Sequence, residues 1–365
     1  MKIKSLLPFI VLIVSVGAFA QGSYKKPPQE VMDVLNAPPI PSTTVSPAGD
    51  KIAMLVPLRY PPIADLAQPM LRLAGERVSP NTNGQHRQPY FLKLTFKNIS
   101  DGKETTAALP VGAKIMTLQW APDGKHMAVG NITPTGIELW IVDTATGKAS
   151  RIPKVYVNTA FGGFSWEGPS ELSATLVPGN RGPAPAYEHI TPTEPNIQET
   201  SGRTGAVQTY EDLLKSPNDE KLFDYYATSQ LALISIDGKV RNIGQPAIFD
   251  TADLSPDGKF ILVSAVHRPY SYQYPMGRFP RNIEIWDSSG KPVHPIADIP
   301  LQDNLPVQGV PVGPRSLAWI PTEASTLMWV EALDGGDPRK KVTPRDRIMT
   351  LASPFSSQPA ELMKV

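Results

Sequence analysis

An all-β fold of repeated four-strand units, a β-propeller, is what this sequence predicts, and three observations predict it. Short apolar strands alternate with Gly- and Pro-bearing turns every eight to twelve residues or so, the spacing of an antiparallel meander. One turn recurs along the chain: Ser46-Pro47-Ala48-Gly49-Asp50-Lys51, Ala121-Pro122-Asp123-Gly124-Lys125 and Ser255-Pro256-Asp257-Gly258-Lys259, with Trp319-Ile320-Pro321 and the degraded Ser165-Trp166-Glu167-Gly168 as further copies. A second string recurs as well, Glu138-Leu139-Trp140-Ile141-Val142-Asp143 matching Glu284-Ile285-Trp286-Asp287, with Gln230 to Ile234 as a variant. Repetition at a fixed period is the mark of a propeller rather than of a β-sandwich or barrel, which share only the strands. About five or six units are recognisable, with a last strand near Arg347 to Leu351, so the ring reads as incomplete.

Within each turn the residues have physical reasons. Proline presets φ at an early turn position, and glycine supplies φ > 0 at a late one. His126 to Gly130 and Glu138 to Val142 then read as strands, with Trp140 and Val142 on one face.

Composition narrows the function classes. The chain has 365 residues, enough for a large core, and a formal net charge of +1, so no global field draws it to nucleic acid or an anionic membrane. It has no cysteine, which removes disulfides, thiol catalysis and cysteine-based metal sites. Its five histidines are scattered without metal-ligand spacing, so neither a metal nor a cofactor is expected.

Met1 to Ala20 reads as a secretory signal. Lys2 and Lys4 precede the apolar run Leu6 to Val16, and Ala18-Phe19-Ala20 sets a cut before Gln21. The run is short for a membrane span of about twenty residues. A secreted or periplasmic protein follows, with no membrane attachment after cleavage. Residues 21–45 form a Pro-rich segment around a short helix, Gln29 to Asn36, striped by Val31, Val34 and Leu35. The propeller is assigned to 46–365.

The first unit is overlong. A helical patch is expected over Ile63 to Leu73, then a polar loop from Gly75 to Pro89, then strands over Tyr90 to Asn98 and Thr105 to Leu109. A larger insertion spans about residues 178–229. Two helices are expected in it: Thr209 to Lys215, and one capped by Ser216 with Pro217 first and Asp219 third, burying Leu222, Phe223 and Tyr226. The insertion reads as a hairpin decorating a blade or as a flap over the mouth of a channel. His267 to Arg281, HRPYSYQYPMGRFPR, is too long for a hairpin turn and mixes tyrosines with arginines. Guanidinium groups grip carboxylates and rings add rigid apolar area, so Arg268, Tyr270, Tyr272, Arg278 and Arg281 are candidate substrate-binding residues. A packed loop with solvated arginines is the alternative.

Several strings together carry a resemblance: the Ser-Pro-Asp-Gly-Lys turns, Leu71-Arg72-Leu73-Ala74-Gly75, Tyr225 to Leu231, His267 to Tyr272, Arg278-Phe279-Pro280-Arg281 and Glu331 to Pro338. From about Lys26 onward the chain resembles the prolyl-oligopeptidase-like serine peptidases, in their glutamyl endopeptidase branch. That resemblance implies a propeller followed by an α/β-hydrolase domain carrying Ser, Asp and His, with the propeller restricting entry to peptides and unfolded segments. It also implies a cation for an acidic residue of the substrate. The nucleophile elbow Gly-x-Ser-x-Gly is not found; the nearest string, Gly163-Phe164-Ser165-Trp166-Glu167, lacks the second glycine and sits in a blade turn. No catalytic residue is therefore assigned, and the hydrolase domain is expected outside this chain, in cis or as a separate chain. The alternative is a stand-alone periplasmic propeller that binds a protein or peptide without chemistry. A third reading, a glycosidase built on Glu331, Asp334 and Asp337, competes with a plain polar turn at Gly335-Gly336.

Overall fold

The structure, a computed structural model, describes residues 25–187, 209–303, 305–306 and 308–365. The expected signal sequence, His189 and the middle of the 178–229 insertion lie outside these residues. The chain divides into a short N-terminal unit ending at Pro39 and a large unit from Ile40 to Val365. The first holds one helix, α1 (Gln29–Leu35), with Val31, Val34 and Leu35 all exposed.

The large unit is a β-propeller of five successive four-stranded antiparallel blades. Blade one runs β1 (Ser42–Val45), β2 (Lys51–Pro57), β6 (Phe91–Asn98) and β7 (Glu104–Thr106), and its long second loop carries α2 (Ile63–Leu66) and a small sheet of β3 (Leu71–Leu73), β4 (Glu76–Ser79) and β5 (Gly84–Gln85). Blade two is β8 (Ile115–Trp120), β9 (His126–Thr133), β10 (Gly136–Asp143) and β11 (Ala149–Arg151). Blade three is β12 (Phe164–Trp166), β13 (Glu171–Leu176), β14 (Ser229–Ser235) and the first part of β15 (Val240–Leu254), with α3 (Pro217–Ala227) in its second loop. The second part of β15 opens blade four, followed by β16 (Phe260–Val266), β17 (Arg281–Asp287) and β18 (Pro292–Ile299). Blade five is β19 (Arg315–Trp319), β20 (Thr326–Ala332), β21 (Asp346–Ala352) and β22 (Ala360–Lys364). The last strand expected near Arg347 to Leu351 is thus third in its blade, and the first blade begins before Ser46, at β1.

Each copy of the recurring turn joins the first strand of a blade to its second. Gly49, Gly124 and Gly258 take φ of +70°, +69° and +69°, and each donates its N–H to the carbonyl three residues back. Ser46 and Ser255 also accept, through Oγ, from the backbone of the following strand (3.1 Å each). The tryptophan ending the first strand has a second function. The Trp166 indole donates to the Gln119 carbonyl of blade two (3.0 Å), and Trp319 to the Asp253 carbonyl of blade four (2.9 Å), so each ties its blade to the preceding one.

Blades stack face to face, and alternation along each strand feeds two interfaces. Leu139 and Ile141 of β10 pack toward Phe164, Leu172 and Ala174 of blade three, while Val142 and Trp140 pack toward Leu94 and Phe96 of blade one. Blades three and four share Leu231, Ile261 and Trp286; blades four and five share Ile285, Trp319, Leu327 and Phe355. A side chain on either face is therefore buried, which is why the strands read as nearly continuous apolar runs.

The Glu-x-Trp repeat follows from that burial. The Trp286 indole donates to Glu284 (2.7 Å), Trp140 to Glu138 (2.9 Å), and Trp329 to Glu331 (2.8 Å). Residues two apart share a strand face, so the carboxylate satisfies an indole N–H on the face packed against the preceding blade. Replacing Glu284 with leucine should lower stability by about 1–3 kcal/mol, with Glu284→Gln keeping most of it, because a buried donor without an acceptor costs that much. Urea denaturation of the two variants checks this; equal midpoints would remove the assignment.

One expected helix is shortened and another is absent. Only Ile63–Leu66 is helical in the 63–73 patch, because Pro69 cannot continue a helix and Leu71-Arg72-Leu73 alternate buried, exposed, buried as the hairpin β3–β4. The polar loop expected from Gly75 contains β4 and β5. Thr209 to Lys215 is irregular: Asp212 takes φ +57°, and its carbonyl accepts the Gly75 N–H (2.9 Å).

Candidate functional site

The loops between second and third strands are long in blades one, three and four, and in a propeller such loops emerge at the same end. Here they meet. Leu71, Leu73 and Val78 from blade one, Leu214, Leu222, Phe223 and Tyr226 from blade three, and Val266 and Phe279 from blade four form a single buried cluster with Phe161. Phe223 is at its centre, fully buried, edge-on to Phe161 (5.5 Å), Tyr270 (5.0 Å) and Phe279 (5.6 Å). The helix that presents it is encoded locally. Ser216 Oγ accepts the Asp219 N–H (3.2 Å), Pro217 starts the first turn, and Asp219 and Glu220 lie where the helix dipole favours anions.

Polar contacts tie the three loops. Asn83 and Asn158 both donate to the Tyr226 carbonyl (3.0 and 2.8 Å) at the C-terminal end of α3. The Arg181 guanidinium bonds Asn83 (2.5 Å) and lies over the Tyr225 ring (4.2 Å). Arg77 Nε meets Asp212 (2.6 Å), and the Met276 N–H donates to the Ala74 carbonyl (2.8 Å). Gly75, at φ +97°, lies so close to Pro275 that a Cβ there would fall 2.7 Å from the proline ring.

The five candidate residues of the 267–281 loop take different positions. Arg268 binds Glu220 and Asp224, one turn apart on α3, and covers the Tyr270 ring (4.6 Å). Tyr270 stacks on Phe279 (5.2 Å) and donates its hydroxyl to Asp224 (2.5 Å); burial first, and that carboxylate second, push its titration far up. Tyr272 is exposed, with its hydroxyl turned to Glu220. Arg281 is almost covered, pairs with Asp250 (2.5 Å) and donates to the Met276 carbonyl (3.2 Å). Arg278, on the 3₁₀ turn Met276–Arg278, is half-buried and has no polar side-chain partner among the described residues. Arg268 and Tyr270 therefore clamp α3, Arg281 anchors the loop to β15, and Arg278 alone of the three arginines is uncommitted.

No sequence pattern points to a cavity of about 370 Å³ between the blade-one loop and blade two. Asp65 accepts from Tyr90 and from Lys114 (2.7 Å each), and the lysine lies over the tyrosine ring (5.0 Å). Burial alone would raise the Asp65 carboxyl, but the two donors outweigh it and hold it below the usual range. Tyr90 is pushed up to about 12, by burial and then by Asp65. These three come from α2, from the residue before β6 and from the link between blades, so no spacing announces them.

The three C-terminal carboxylates serve local structure. Asp334 takes Arg345 and the Gly336 N–H, Asp337 takes both the side chain and the N–H of Arg339, and Glu331 takes Trp329 and Arg347. Each is held below its ordinary value, Asp334 and Asp337 by their arginines and Glu331 by donors that outweigh its burial. Each carboxylate is committed to an arginine, as in a polar turn. Among the described residues no His, Asp and Glu group could hold a metal ion, and no helix is long and apolar enough to cross a membrane.

No family model matches the chain. A probable chloroplastic glutamyl endopeptidase of Oryza sativa subsp. japonica is 38% identical over 363 residues, 94% of this chain and 38% of that protein. Its counterpart in Arabidopsis thaliana is 37% identical over 358 residues, 93% of this chain and 37% of that protein. Among solved structures, the β-propeller domain of the trilobed protease from Pyrococcus furiosus superposes at a TM-score of 0.34 and 12% identity, over 88% of this chain and 83% of that one. The chain thus spans a little over a third of the curated relatives it matches. What it resembles, over nearly all of its length, is a propeller portion of the glutamyl endopeptidases.

Proposed function

We propose that this chain is the non-catalytic propeller portion of a secreted serine peptidase, admitting peptides or unfolded segments to an α/β-hydrolase domain that lies outside it. The cap carries this reading. Three loops far apart in sequence close over one end of the blades, and such an arrangement filters what enters. The similarity to glutamyl endopeptidases supplies the reaction class. Export rests on the Met1 to Ala20 pattern. Among the arginines of the 267–281 loop, the substrate-binding role narrows to Arg278, since Arg268 and Arg281 already hold carboxylates, while Tyr272 stays exposed.

Native protein, captured with an antibody against residues 21–365, should label with a fluorophosphonate and run well above the size of this chain. An unlabelled band at the size of 365 residues favours the second reading, a stand-alone periplasmic propeller binding a protein or peptide. In the labelled protein, Arg278→Ala should lower kcat/KM for cleavage after Glu by tenfold or more, roughly one lost charge-assisted hydrogen bond. Unchanged kinetics would take Arg278 out of substrate recognition.

A further inference from the structure

The geometry points to a carboxylate-binding site in the cavity between blades four and five, with Arg315 as its anion-gripping residue; the inference deepens the proposed peptide-binding function and rests on it for the identity of the ligand. The cavity, about 340 Å³, is lined by the polar groups of Asp250, Ser264, Arg281, Gln302 and Arg315, with Leu262 and Ile283 behind them. Two arginines from adjacent blades face one small space. Each already has one acid. Arg281 holds Asp250 (2.5 Å), which also takes the Ser264 hydroxyl (3.4 Å), and Arg315 Nη2 holds Asp346 (2.7 Å).

The two are not equally satisfied. Arg281 spends its guanidinium on Asp250 and on the Phe279 and Met276 carbonyls. Arg315 keeps Nη1 buried with no acceptor among the described residues, a state that buried donors rarely hold. The backbone beneath it follows a feature of the repeat. β19 departs from regular register between Arg315 and Ala318, and Ser316 takes φ +51°. Bulges re-aim side chains beside functional sites, and the first strands of blades two and four break register in the corresponding stretch. A small movement of the Arg315 side chain turns Nη1 to the cavity while Nη2 keeps Asp346, so an entering carboxylate supplies the missing acceptor in the two-pronged geometry that guanidinium favours.

Titration calorimetry on the whole chain tests this with three probes: glutarate, the peptide acetyl-Ala-Ala-Glu-Ala-Ala-amide, and the same peptide with Gln in place of Glu. Glutarate or the acidic peptide should bind, the acidic peptide at least tenfold tighter than its Gln counterpart. Arg315→Lys, which keeps a cation for Asp346 but loses the fork, should erase that tenfold. Gln302→Glu, a half-buried lining position where a fold defect is not expected, should weaken binding by at least as much through repulsion. Glutarate binding with neither peptide bound keeps the site and removes the peptide as its ligand. Equal binding of both peptides without glutarate overturns the site and leaves peptide binding standing. No binding of any probe, or full acid selectivity in both variants, also overturns it.

Discussion

Phe223→Ala should open the cap and leave the blades folded. The side chain is fully buried and edge-on to three aromatic rings supplied by other segments. Its removal should cost about 3–5 kcal/mol, the range for aromatic truncation in a packed core. The loss falls on a cluster made of loops, whereas each blade interface has its own apolar set. Hydrogen exchange should therefore quicken in α3, in β3–β5 and over 267–280, while β9, β10, β16 and β17 keep their protection. Phe96→Ala, at the buried interface of blades one and two, supplies the contrast: it should lower the unfolding midpoint of the propeller itself. If Phe223→Ala loosens all blades alike, the cap is not a separate cooperative unit. If the proposed gate is right, the opened variant of the full peptidase should also cleave larger, folded substrates that the parent excludes.

Gly290→Ala should destabilise the fold by roughly 2–5 kcal/mol, and Gly258→Ala by only about 1–2. Both glycines have positive φ, +89° and +69°, so both substitutions meet left-handed strain. A Cβ on Gly258 meets nothing within 4 Å. A Cβ on Gly290 would lie 2.0 Å from the backbone nitrogen of Gly244, and that backbone has no room to withdraw. Gly244 lies at a register break in the blade-three part of β15, and it is itself pressed against the Trp286 ring, 2.7 Å from where its own Cβ would be. Thermal denaturation of the two variants, run side by side, separates the strain common to both from the contact peculiar to one. Equal losses would mean that the Gly244 backbone yields.

Residues 290 and 258 also mark the limit of sequence reading. As letters they are the same glycine in the same kind of turn. The five turn copies, the Glu-x-Trp strings and the Ser216-Pro217-x-Asp219 start of α3 were all readable, because each is a hydrogen-bonding need met within a few residues. The failures share a different origin. Residues 71–73 look helical and 75–85 polar, yet they make a small sheet because Leu71, Leu73 and Val78 are buried by a helix about 150 residues away. Residues 209–215 look helical, but Asp212 is drawn out by Gly75 and Arg77. The aromatic and basic loop at 267–281 looked like a recognition surface, and the carboxylates of α3 and β15 claim two of its three arginines.

The β-propeller class, its recurring turn and the resemblance to the glutamyl endopeptidases were thus readable from local chemistry, whereas the count of five blades came from the structure. The cap, the Asp65–Tyr90–Lys114 cavity and the Arg315 site were settled by long-range packing. Turn and strand preferences act over a few residues, while the groups that meet at a cap or cavity come from different blades. Their pairing depends on how successive blades stack, and no spacing along the chain records it.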